Sequence, residues 1–335
     1  MQRKTIEWLL LLSLFWAGCT AMPAAVPQNS MVSVAEPTSM PATMERDNFS
    51  PIELPATQTA VPTTSPPATA TPGIFPASSA AAPTATATFA AYGVAQTIGT
   101  SAGGRPIESY RFGFGSRTII LVGGIHGGYE WNTILLAYEM IDYFLENPER
   151  VPDNVSLYII PSANPDGQFA VTGMDGRFTP EDVTRDIRLG RLNDNQVDLN
   201  RNWECEWQPE GLWGNTLVSG GEMPFSEPET AALRTFILRE NPAVVVFWHS
   251  KADGIFIGGC EDVYQPAEEV AEVYGRASGY RVYDEFTAYP ISGEASDWLA
   301  TQNIPSFTVE LETRSQTDYA INLAGVLALL DFYGR

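Results

Sequence analysis

Residues 123–131 read GGIHGGYEW and directly follow an apolar run of mainly β-branched residues at 118–122 (TIILV). A short, unbroken apolar run of this kind is typical of a strand that is buried on both faces of a sheet. His126 and Glu130 therefore emerge just beyond the carboxyl end of the predicted strand. Open α/β sheets place their ligand-binding sites at that end.

The second of the two histidines in the chain, His249, ends another apolar run at 244–248 (VVVFW). Two histidines at strand ends and a nearby carboxylate form a His2Glu set. That is the ligand set of a catalytic zinc ion that keeps one coordination position open. Spacing alone leaves two interpretations, because a lone histidine is more often a core or surface residue than a metal ligand.

The first 19 residues predict a signal peptide that directs export. Arg3 and Lys4 precede an apolar stretch at 6–16, and small residues follow it. The stretch is too short to span a bilayer comfortably. Its Ala-Gly-Cys ending resembles the cleavage box of bacterial lipoproteins, in which Cys19 would be lipidated. The alternative is plain secretion, in which Cys19 is discarded.

Residues 20–91 are rich in proline, threonine, alanine and serine and contain few charges or large apolar side chains. A segment of this composition cannot bury enough surface to offset the entropy lost on ordering, so we predict a disordered tether. The remaining residues, 92–335, are enough for a single well-cored domain.

The formal net charge of the chain is −21, and the acidic residues lie mostly in this predicted domain. So acidic a surface argues against nucleic-acid binding and against electrostatic docking on anionic lipid. Membrane contact is therefore expected only through the N-terminal lipid anchor. The charge suits cationic substrates, or it serves only to keep the surface soluble.

Cys205 and Cys260 remain once the predicted signal has been removed. An exported protein permits a disulfide bond between them. The alternative is a pair of buried thiols.

Strand-like apolar runs alternate with helical patterns along the predicted domain. This alternation predicts an α/β fold, a single α/β/α domain with a mixed, mainly parallel central sheet that helices cover on both faces. Residues 164–167 (NPDG) predict a turn and residues 177–203 a long polar loop, while residues 226–229 (SEPE) have capping-box spacing. The predicted helices are 132–147, 226–240, 267–278, 295–301 and 318–333, and the later strands are 155–161 and 306–311.

Seven segments, taken in order, resemble motifs of the zinc carboxypeptidases of the carboxypeptidase A type, in their short bacterial form. IHGGYEW resembles the first zinc motif, SANPDG the Asn-Pro-Asp-Gly turn and VDLNRNW the substrate-carboxylate motif. PFSEPET resembles the helix start before the third ligand, and FWHS the strand that carries this ligand. YPISGEASDW resembles the mobile tyrosine loop, and SFTVEL the strand with the catalytic glutamate.

The resemblance implies that His126, Glu130 and His249 hold one Zn²⁺ per chain, with water in the fourth position. It also reveals a departure, since the family usually has two residues between the first histidine and the glutamate, and three (GGY) stand here. A glycine-rich bend can absorb one extra residue. Tyr129 stands where the family usually has an arginine, so we expect one contact to longer substrates to be lost.

The resemblance also implies the residues that act on the scissile bond. Glu310 matches the general base, which takes a proton from water and delivers it to the leaving amine. A further arginine should stabilise the tetrahedral oxyanion. Arg191 keeps the spacing of short bacterial relatives and is our choice, with Arg188 as the alternative.

Four further residues match the substrate-binding positions of the family. Asn200 and Arg201 match the pair that binds the terminal carboxylate, for which guanidinium geometry is well suited. Tyr289 matches the loop tyrosine that closes over that end of the substrate. Ser296 falls at the pocket floor, and nearby Glu294 either attracts a basic or diaminopimelate-like side chain or is simply solvated.

The sequence therefore predicts an exported metallocarboxypeptidase, secreted or lipid-anchored, that removes C-terminal residues from peptides. One alternative is a peptidase that cleaves muropeptides beside diaminopimelate, and another is a catalytically inactive surface binding module. A fourth interpretation is an amidase that acts on acylated amino acids. Retention of both histidines, Glu130, Arg201 and Glu310 argues against the inactive module. We expect a monomer.

Overall fold

The computed structural model describes residues 92–335. The predicted signal peptide, the lipidation candidate Cys19 and the predicted tether at 20–91 lie outside the described residues. Within 92–335, none of the helices combines the length and the apolar character that crossing a bilayer requires.

A mixed sheet of eight strands forms the centre of the described region, in the order β1-β2-β4-β3-β7-β10-β8-β9. The strands are β1 (Ala95–Thr100), β2 (Pro106–Phe112), β3 (Arg117–Val122), β4 (Val155–Ile160), β5 (Glu210–Trp213), β6 (Thr216–Ser219), β7 (Val244–Ser250), β8 (Gly254–Ile257), β9 (Val282–Tyr283) and β10 (Ser306–Leu311). β5 and β6 form a separate hairpin. β4, β3, β7 and β10 are parallel neighbours, whereas β1–β2, β2–β4 and β8–β10 are antiparallel pairs. The prediction of a mixed, mainly parallel sheet is confirmed.

Helices cover both faces of this sheet, as predicted. They are α1 (Trp131–Glu146), α2 (Pro165–Thr172), α3 (Pro228–Glu240), α4 (Gln265–Ser278), α5 (Ala295–Thr301) and α6 (Tyr319–Tyr333). Side chains of β7 alternate between two buried clusters: Val246 packs with residues of α1, α4 and α6, and Phe247 with residues of α3 and α5. β4 and β7 are fully buried, and β3 is buried except at Arg117, which explains the apolar runs in the sequences of these strands.

The strand order creates a crevice at the carboxyl end of β3. After β3 the chain forms α1 and then β4, which pairs with β3 on one side. β7 comes later in the chain and pairs with β3 on the other side. A reversal of this kind is the topological switch point where open α/β sheets bind ligands. β10 lies next to β7 with Glu310 opposite His249, so both side chains reach the same crevice.

The predicted turn at 164–167 is instead the start of α2. Asn164 is the N-cap residue, and its side-chain oxygen accepts a hydrogen bond of 2.8 Å from the backbone N–H of Gly167. Pro165 occupies the first helical position, where its fixed φ suits a helix and its missing N–H is not needed. The sequence pattern that predicted a turn therefore marks the N-terminus of a helix.

The predicted capping box at Ser226 does not form. Pro228 is the first residue of α3, so Glu227 becomes the N-cap residue and the capping-box spacing is displaced by one residue. The carboxylate of Glu229 instead accepts hydrogen bonds from the backbone N–H of Ala102 (2.9 Å) and from the side-chain amide of Asn193 (3.2 Å).

Other elements were missed because their local sequence signals are weak. β1 is largely exposed and contains no apolar run, and β8 is only four residues long. The polar loop at 177–203 contains three short 3-10 helices, at Pro180–Asp182, Ile187–Gly190 and Leu199–Arg201. Tertiary contacts, rather than periodicity, hold such short elements in place.

A buried polar cluster ties the loop that leads to the crevice to the edge of the sheet. Asp166 accepts hydrogen bonds from the Ser101 hydroxyl, the Arg105 guanidinium and the backbone N–H of Asp194. Glu229 lies beside it, and burial, reinforced by the charge of Asp166, raises the pKa of Glu229 to about 7. α2, α3 and the turn between β1 and β2 are thereby fixed to one another.

The raised pKa of Glu229 predicts a pH dependence of stability. The folded protein holds this proton more tightly than the unfolded chain, so the free energy of unfolding should fall as pH rises from about 4.5 to about 7. The loss should reach up to about 3 kcal/mol. In Glu229→Gln, which cannot ionise, this part of the slope should disappear when urea unfolding is compared across that range. Glu268→Gln, on the exposed side of α4, is the control that keeps the slope, and an unchanged slope in Glu229→Gln would contradict the assignment.

Candidate metal centre and substrate cleft

The first two metal-ligand candidates flank a tight 3-10 turn. The chain leaves β3 at Val122, and residues Gly127–Glu130 form a 3-10 helix directly after His126. Gly127 has a φ of +46°, and a Cβ there would lie 2.7 Å from the carbonyl oxygen of Gly190. The turn thus accommodates the extra residue between the two candidates, and glycine is needed to build it.

The structure brings His126, Glu130 and His249 together. Nδ1 of His126 lies 2.9 Å from Oε1 of Glu130, and Nδ1 of His249 lies 3.2 Å from Oε2 of Glu130. All three side chains are buried, and one ligand atom from each falls within 4.8 Å of the others. The two imidazole rings are 4.8 Å apart between centroids.

These side chains fit a zinc ion. Donor atoms of a tetrahedral site with bonds of about 2.0–2.2 Å lie roughly 3.3–3.6 Å apart, close to the separations found here. Oε2 of Glu130 is buried, and its 3.2 Å contact with Nδ1 of His249 lacks the geometry of a hydrogen bond. A carboxylate oxygen left in this state is costly unless a cation satisfies it.

A second carboxylate supports the first histidine. Oδ1 of Asp198 lies 3.4 Å from Nε2 of His126, the ring nitrogen that faces away from Glu130. The other oxygen of Asp198 accepts a hydrogen bond of 2.9 Å from Nε of Arg191, and Nη2 of the same guanidinium group lies 2.8 Å from this oxygen as an ion pair. An acid in this position orients a ligand imidazole and fixes which nitrogen faces the metal. Asp198 lies within the VDLNRNW segment but was not among the predicted site residues.

Electrostatics keep both of these acids ionised. Burial alone would raise the pKa of Glu130, but the two histidines beside it hold this pKa well below its usual value. Burial likewise opposes ionisation of Asp198, and Arg191 and His126 outweigh it, so the pKa of Asp198 is also lowered. Both carboxylates are therefore available as anions at neutral pH.

The pKa of Glu310 is shifted in the direction opposite to those of Glu130 and Asp198. Burial, followed by the negative charge of Glu130, raises the pKa of Glu310 to about 7. Its Oε2 accepts a hydrogen bond of 3.1 Å from the backbone N–H of Ala252, which fixes the carboxyl group beside β7. A cation bound at the neighbouring site favours the ionised form and draws this pKa down.

A cleft of about 390 Å³ opens beside these groups. His126, His249 and Glu310 line one part of its wall. The same cleft is lined by all four predicted substrate-binding residues: Asn200, Arg201, Tyr289 and Ser296. The cleft therefore combines a candidate metal centre, a carboxyl group with a raised pKa and a set of polar side chains.

Arg201 is 1% exposed and is held by backbone carbonyl groups alone. Its Nε and Nη2 donate to the carbonyl oxygen of Leu212, at 3.1 and 2.8 Å, and its Nη1 donates to that of Asn200. Among the described residues, no carboxylate forms an ion pair with it. The side-chain oxygen of Asn200 accepts from the backbone N–H of Ala295, at 3.1 Å, which orients this amide toward the cleft.

Tyr289 lies on a loop, whereas Ser296 lies in a helix. Tyr289 belongs to the loop before α5, and its ring packs edge-on against Phe286, with centroids 5.1 Å apart. Burial raises the pKa of Tyr289, although Arg191 and Arg201 oppose this shift. Ser296 is buried in α5, and its backbone carbonyl accepts a hydrogen bond from the hydroxyl of Ser306 on β10. The residue predicted for the pocket floor is therefore small, polar and fixed in position by α5.

The two arginines predicted for the oxyanion differ sharply in position. Arg191 is 2% exposed and lies against the ring of Trp213, at 4.7 Å, but it is not part of the cleft lining. Arg188 is half-buried, and its guanidinium group donates hydrogen bonds to the carboxylate of Asp186. The geometry of Arg191 directly supports a positioning role through Asp198, and its contact with an oxyanion stays a prediction.

A disulfide bond joins Cys205 and Cys260. Cys205 follows the 3-10 helix that carries Arg201, and Cys260 lies between β8 and α4 in a segment that lines the cleft. The bond therefore connects the wall of the cleft to the segment that carries Arg201. The sequence alone had left the choice between this bond and two thiols open.

Comparison with known proteins identifies the family to which this chain belongs. Residues 94–324 match the family model described as zinc carboxypeptidase. The chain belongs to the zinc carboxypeptidase family. As a member of this family it is a zinc-dependent metallocarboxypeptidase, which is a hydrolase. His126, Glu130 and His249 are the residues that could hold its metal ion.

Curated relatives are similar at moderate identity. Carboxypeptidase B of Astacus astacus is 27% identical over 252 residues, which cover 68% of this chain and 81% of the relative. Carboxypeptidase O of Bos taurus is 28% identical over 244 residues, which cover 62% of this chain and 63% of the relative.

Solved structures share the fold. The carboxypeptidase A of Helicoverpa armigera superposes with a TM-score of 0.54 at 23% identity, covering 72% of this chain and 67% of that one. A murein-tripeptide amidase of Escherichia coli O157 superposes with a TM-score of 0.52 at 22% identity, covering 72% of this chain and 92% of that one. The predicted α/β/α class is thus confirmed.

The contacts around Asp198 predict that zinc affinity depends on residues that do not touch the metal. Asp198→Asn and Arg191→Ala should each weaken zinc binding by about 10- to 100-fold, because the imidazole of His126 loses its support. Competition with a chelator measures this affinity, and Arg188→Ala is the matched control that should leave it unchanged. Normal zinc affinity combined with a reduced kcat in Arg191→Ala would instead favour direct contact with the oxyanion.

The disulfide predicts a measurable loss of stability on reduction. Replacing both cysteines by serine should lower the free energy of unfolding by about 2–4 kcal/mol, because the unfolded chain gains conformational freedom. Urea unfolding with and without a thiol reductant measures the effect. The reductant should destabilise the original chain and leave the double variant unaffected, and equal stability of the two proteins would contradict this role.

Proposed function

We propose that this metallocarboxypeptidase is an exopeptidase that hydrolyses the last peptide bond of peptides with a free C-terminus. The observation that carries the proposal is Arg201, a buried guanidinium group that lines the cleft and forms no ion pair with the described carboxylates. A buried arginine without a partner anion is costly, and a terminal carboxylate supplies that anion with matching geometry.

We assign the metal site to His126, Glu130 and His249. A zinc ion held by these residues would supply Lewis acidity for polarising the scissile carbonyl group and for activating water. The proposal is supported by the buried, close set of ligand atoms and by Asp198 behind His126.

Glu310 is the proposed general base. It lies across from His249 on the neighbouring strand and lines the same cleft, so it can reach a water molecule placed between the metal site and the substrate. Its carboxylate can take up a proton from that water and later release it to the leaving amine.

Asn200, Arg201 and Tyr289 are the proposed groups that bind the substrate terminus. Arg201 would bind the carboxylate through the edge of its guanidinium group, and Asn200 would add a side-chain donor beside it. Tyr289 lies on a loop at the cleft and would cover this end. We further propose Ser296 as the pocket floor and Arg191 as the group that steadies the catalytic centre.

The proposed setting is outside the cytoplasm, supported by the predicted export signal and by the disulfide bond between Cys205 and Cys260. Lipid anchoring through Cys19 and a monomeric state stay predictions. Peptides and muropeptides are both compatible with an exopeptidase of this family, and the experiment below separates them.

The test uses the zinc-loaded protein and matched peptide pairs with either a free or an amidated C-terminus. Only the free form should be hydrolysed, because the amide cannot pair with Arg201, and a chelator should abolish the activity until zinc is restored. Mass spectrometry of the products identifies the bond that is cut. Muropeptides serve as a parallel substrate set, and cleavage of muropeptides alone would overturn the proposal in favour of the cell-wall alternative.

The role of Glu310 predicts a specific kinetic defect. Glu310→Gln should lower kcat by roughly 100- to 10,000-fold while zinc content stays the same, because the base is lost and the metal ligands remain. Glu312→Gln, two residues further along and exposed, is the matched control and should retain full activity. Activity of Glu310→Gln close to that of the control would exclude Glu310 as the base, and absence of turnover in every protein would favour the inactive binding module.

A further inference from the structure

The small β5–β6 hairpin contacts several groups of the site although it does not line the cleft. β5 and β6 form a two-stranded antiparallel sheet of their own, in which Glu210 pairs with Ser219 and Trp213 with Thr216. Among the described residues that line the cleft, none comes from this hairpin. Any effect of the hairpin on the reaction must therefore act through the residues that it contacts.

We propose that the β5–β6 hairpin is a positioning element that holds Arg201 in the orientation needed to bind the terminal carboxylate of the substrate. Gly211, Leu212 and Trp213 are its positioning residues. The inference rests on the proposed exopeptidase function. It adds residues that do not touch the substrate but determine how tightly its C-terminus is bound.

The backbone carbonyl of Leu212 holds one edge of the guanidinium group. It accepts hydrogen bonds from Nε and Nη2 of Arg201, at 3.1 and 2.8 Å, and Nη1 donates to the carbonyl oxygen of Asn200 at 2.6 Å. A guanidinium group has five N–H donors, of which these bonds use one on each nitrogen. One N–H of Nη1 and one of Nη2 remain for the two oxygens of a carboxylate.

Support by carbonyl groups keeps the positive charge of Arg201 available. A carboxylate in the place of the Leu212 carbonyl would neutralise the guanidinium group and compete with the substrate. A carbonyl dipole orients the group without adding a net charge. Because the side chain is already ordered before the substrate arrives, binding does not have to restrict its rotamers, and affinity for the carboxylate is higher.

Gly211 allows the hairpin to approach the stem of Arg201. It is buried, and a Cβ at this position would lie 2.8 Å from Cδ and 3.1 Å from Cγ of the arginine. Non-bonded carbon atoms prefer separations of about 3.5–4.0 Å, so a methyl group here would displace the arginine. The missing side chain at 211 is therefore one of the features that fix the orientation of Arg201.

Contacts at both ends of the hairpin fix it to the support of the metal centre. At its base, the carbonyl oxygen of Ser219 accepts a hydrogen bond of 2.9 Å from the backbone N–H of Asp198. At the other end, the ring centroid of Trp213 lies 4.7 Å from Cζ of Arg191, a cation–π contact. The same ring meets that of Tyr129 edge-on, at 4.8 Å between centroids.

One element thus fixes Arg201 relative to Asp198 and Arg191, the two residues behind the first histidine ligand. This matters because the terminal carboxylate and the scissile bond of a peptide are only one residue apart. Arg201 must therefore keep a fixed separation from the metal centre, and a hairpin attached to both can maintain it.

The experiment measures recognition of the carboxylate separately from turnover. Calorimetry with the zinc-loaded protein compares Nα-acetyl-norleucine with its C-terminal amide, and the ratio of the two affinities is the carboxylate selectivity. Gly211→Ala should lower this selectivity by roughly tenfold, and raise KM for peptides with a free C-terminus to a similar extent, while kcat changes by less than about threefold. Its zinc affinity, measured by chelator competition, should be unchanged. Leu217→Ala, at a 64% exposed position of the same hairpin, is the matched control and should retain full selectivity.

A second pair of variants tests the other end of the hairpin and gives a result even if Gly211→Ala does not fold. Trp213→Ala removes the ring that packs against Arg191 and should lower the selectivity. Trp213→Phe keeps an aromatic face at this position and should restore most of it.

The outcomes separate this inference from the exopeptidase proposal. If the original chain binds the acid and the amide equally, Arg201 does not bind the carboxylate and both proposals fail. If the original chain prefers the acid, and Gly211→Ala and Trp213→Ala keep that preference, only the inference about the hairpin is overturned. An equal loss of selectivity in Leu217→Ala, or weaker zinc binding in Gly211→Ala, would indicate a general structural defect and would also overturn it.

Discussion

The carboxylate of Glu130 is buried between two imidazole groups. The arrangement of the metal centre depends on how this buried negative charge is stabilised. Such a group is stable as an anion only if positive charge is close. Nδ1 of His126 lies 2.9 Å from Oε1, and Nδ1 of His249 lies 3.2 Å from Oε2 without the geometry of a hydrogen bond. The requirement for a cation is therefore built into the packing of the site.

The order of the strands explains how this site opens into a substrate cleft. β3 and β7 are parallel neighbours at the switch point, so the residues at their carboxyl ends converge. β10 continues the parallel series and contributes Glu310 from the same edge. The buried strands supply rigidity, and the irregular segments that follow them supply the functional groups.

The surroundings of two neighbouring carboxyl groups, those of Glu130 and Glu310, shift their pKa values in opposite directions. Glu130 has two histidines beside it and stays ionised, whereas Glu310 has mainly a buried environment and a negative neighbour, so its pKa rises. This separation suits one group to hold a metal and the other to exchange a proton. Away from the centre, the polar cluster of Asp166 and Glu229 and the disulfide at Cys205 fix the loops that carry Asp198 and Arg201.

The sequence by itself determined the α/β class, because apolar runs of buried strands and helical periodicity are local signals. The ordered motifs pointed to His126, Glu130, His249 and Glu310. It misassigned the start of α2 as a turn, since asparagine and proline serve both structures, and it missed the weakly apolar edge strand β1. Only the tertiary structure decided that Asp198 supports His126, that Arg191 is committed to Asp198, and that Glu294 and Asp297 share the cleft. These relations depend on distances between segments far apart in the chain, and no local pattern of residues encodes such distances.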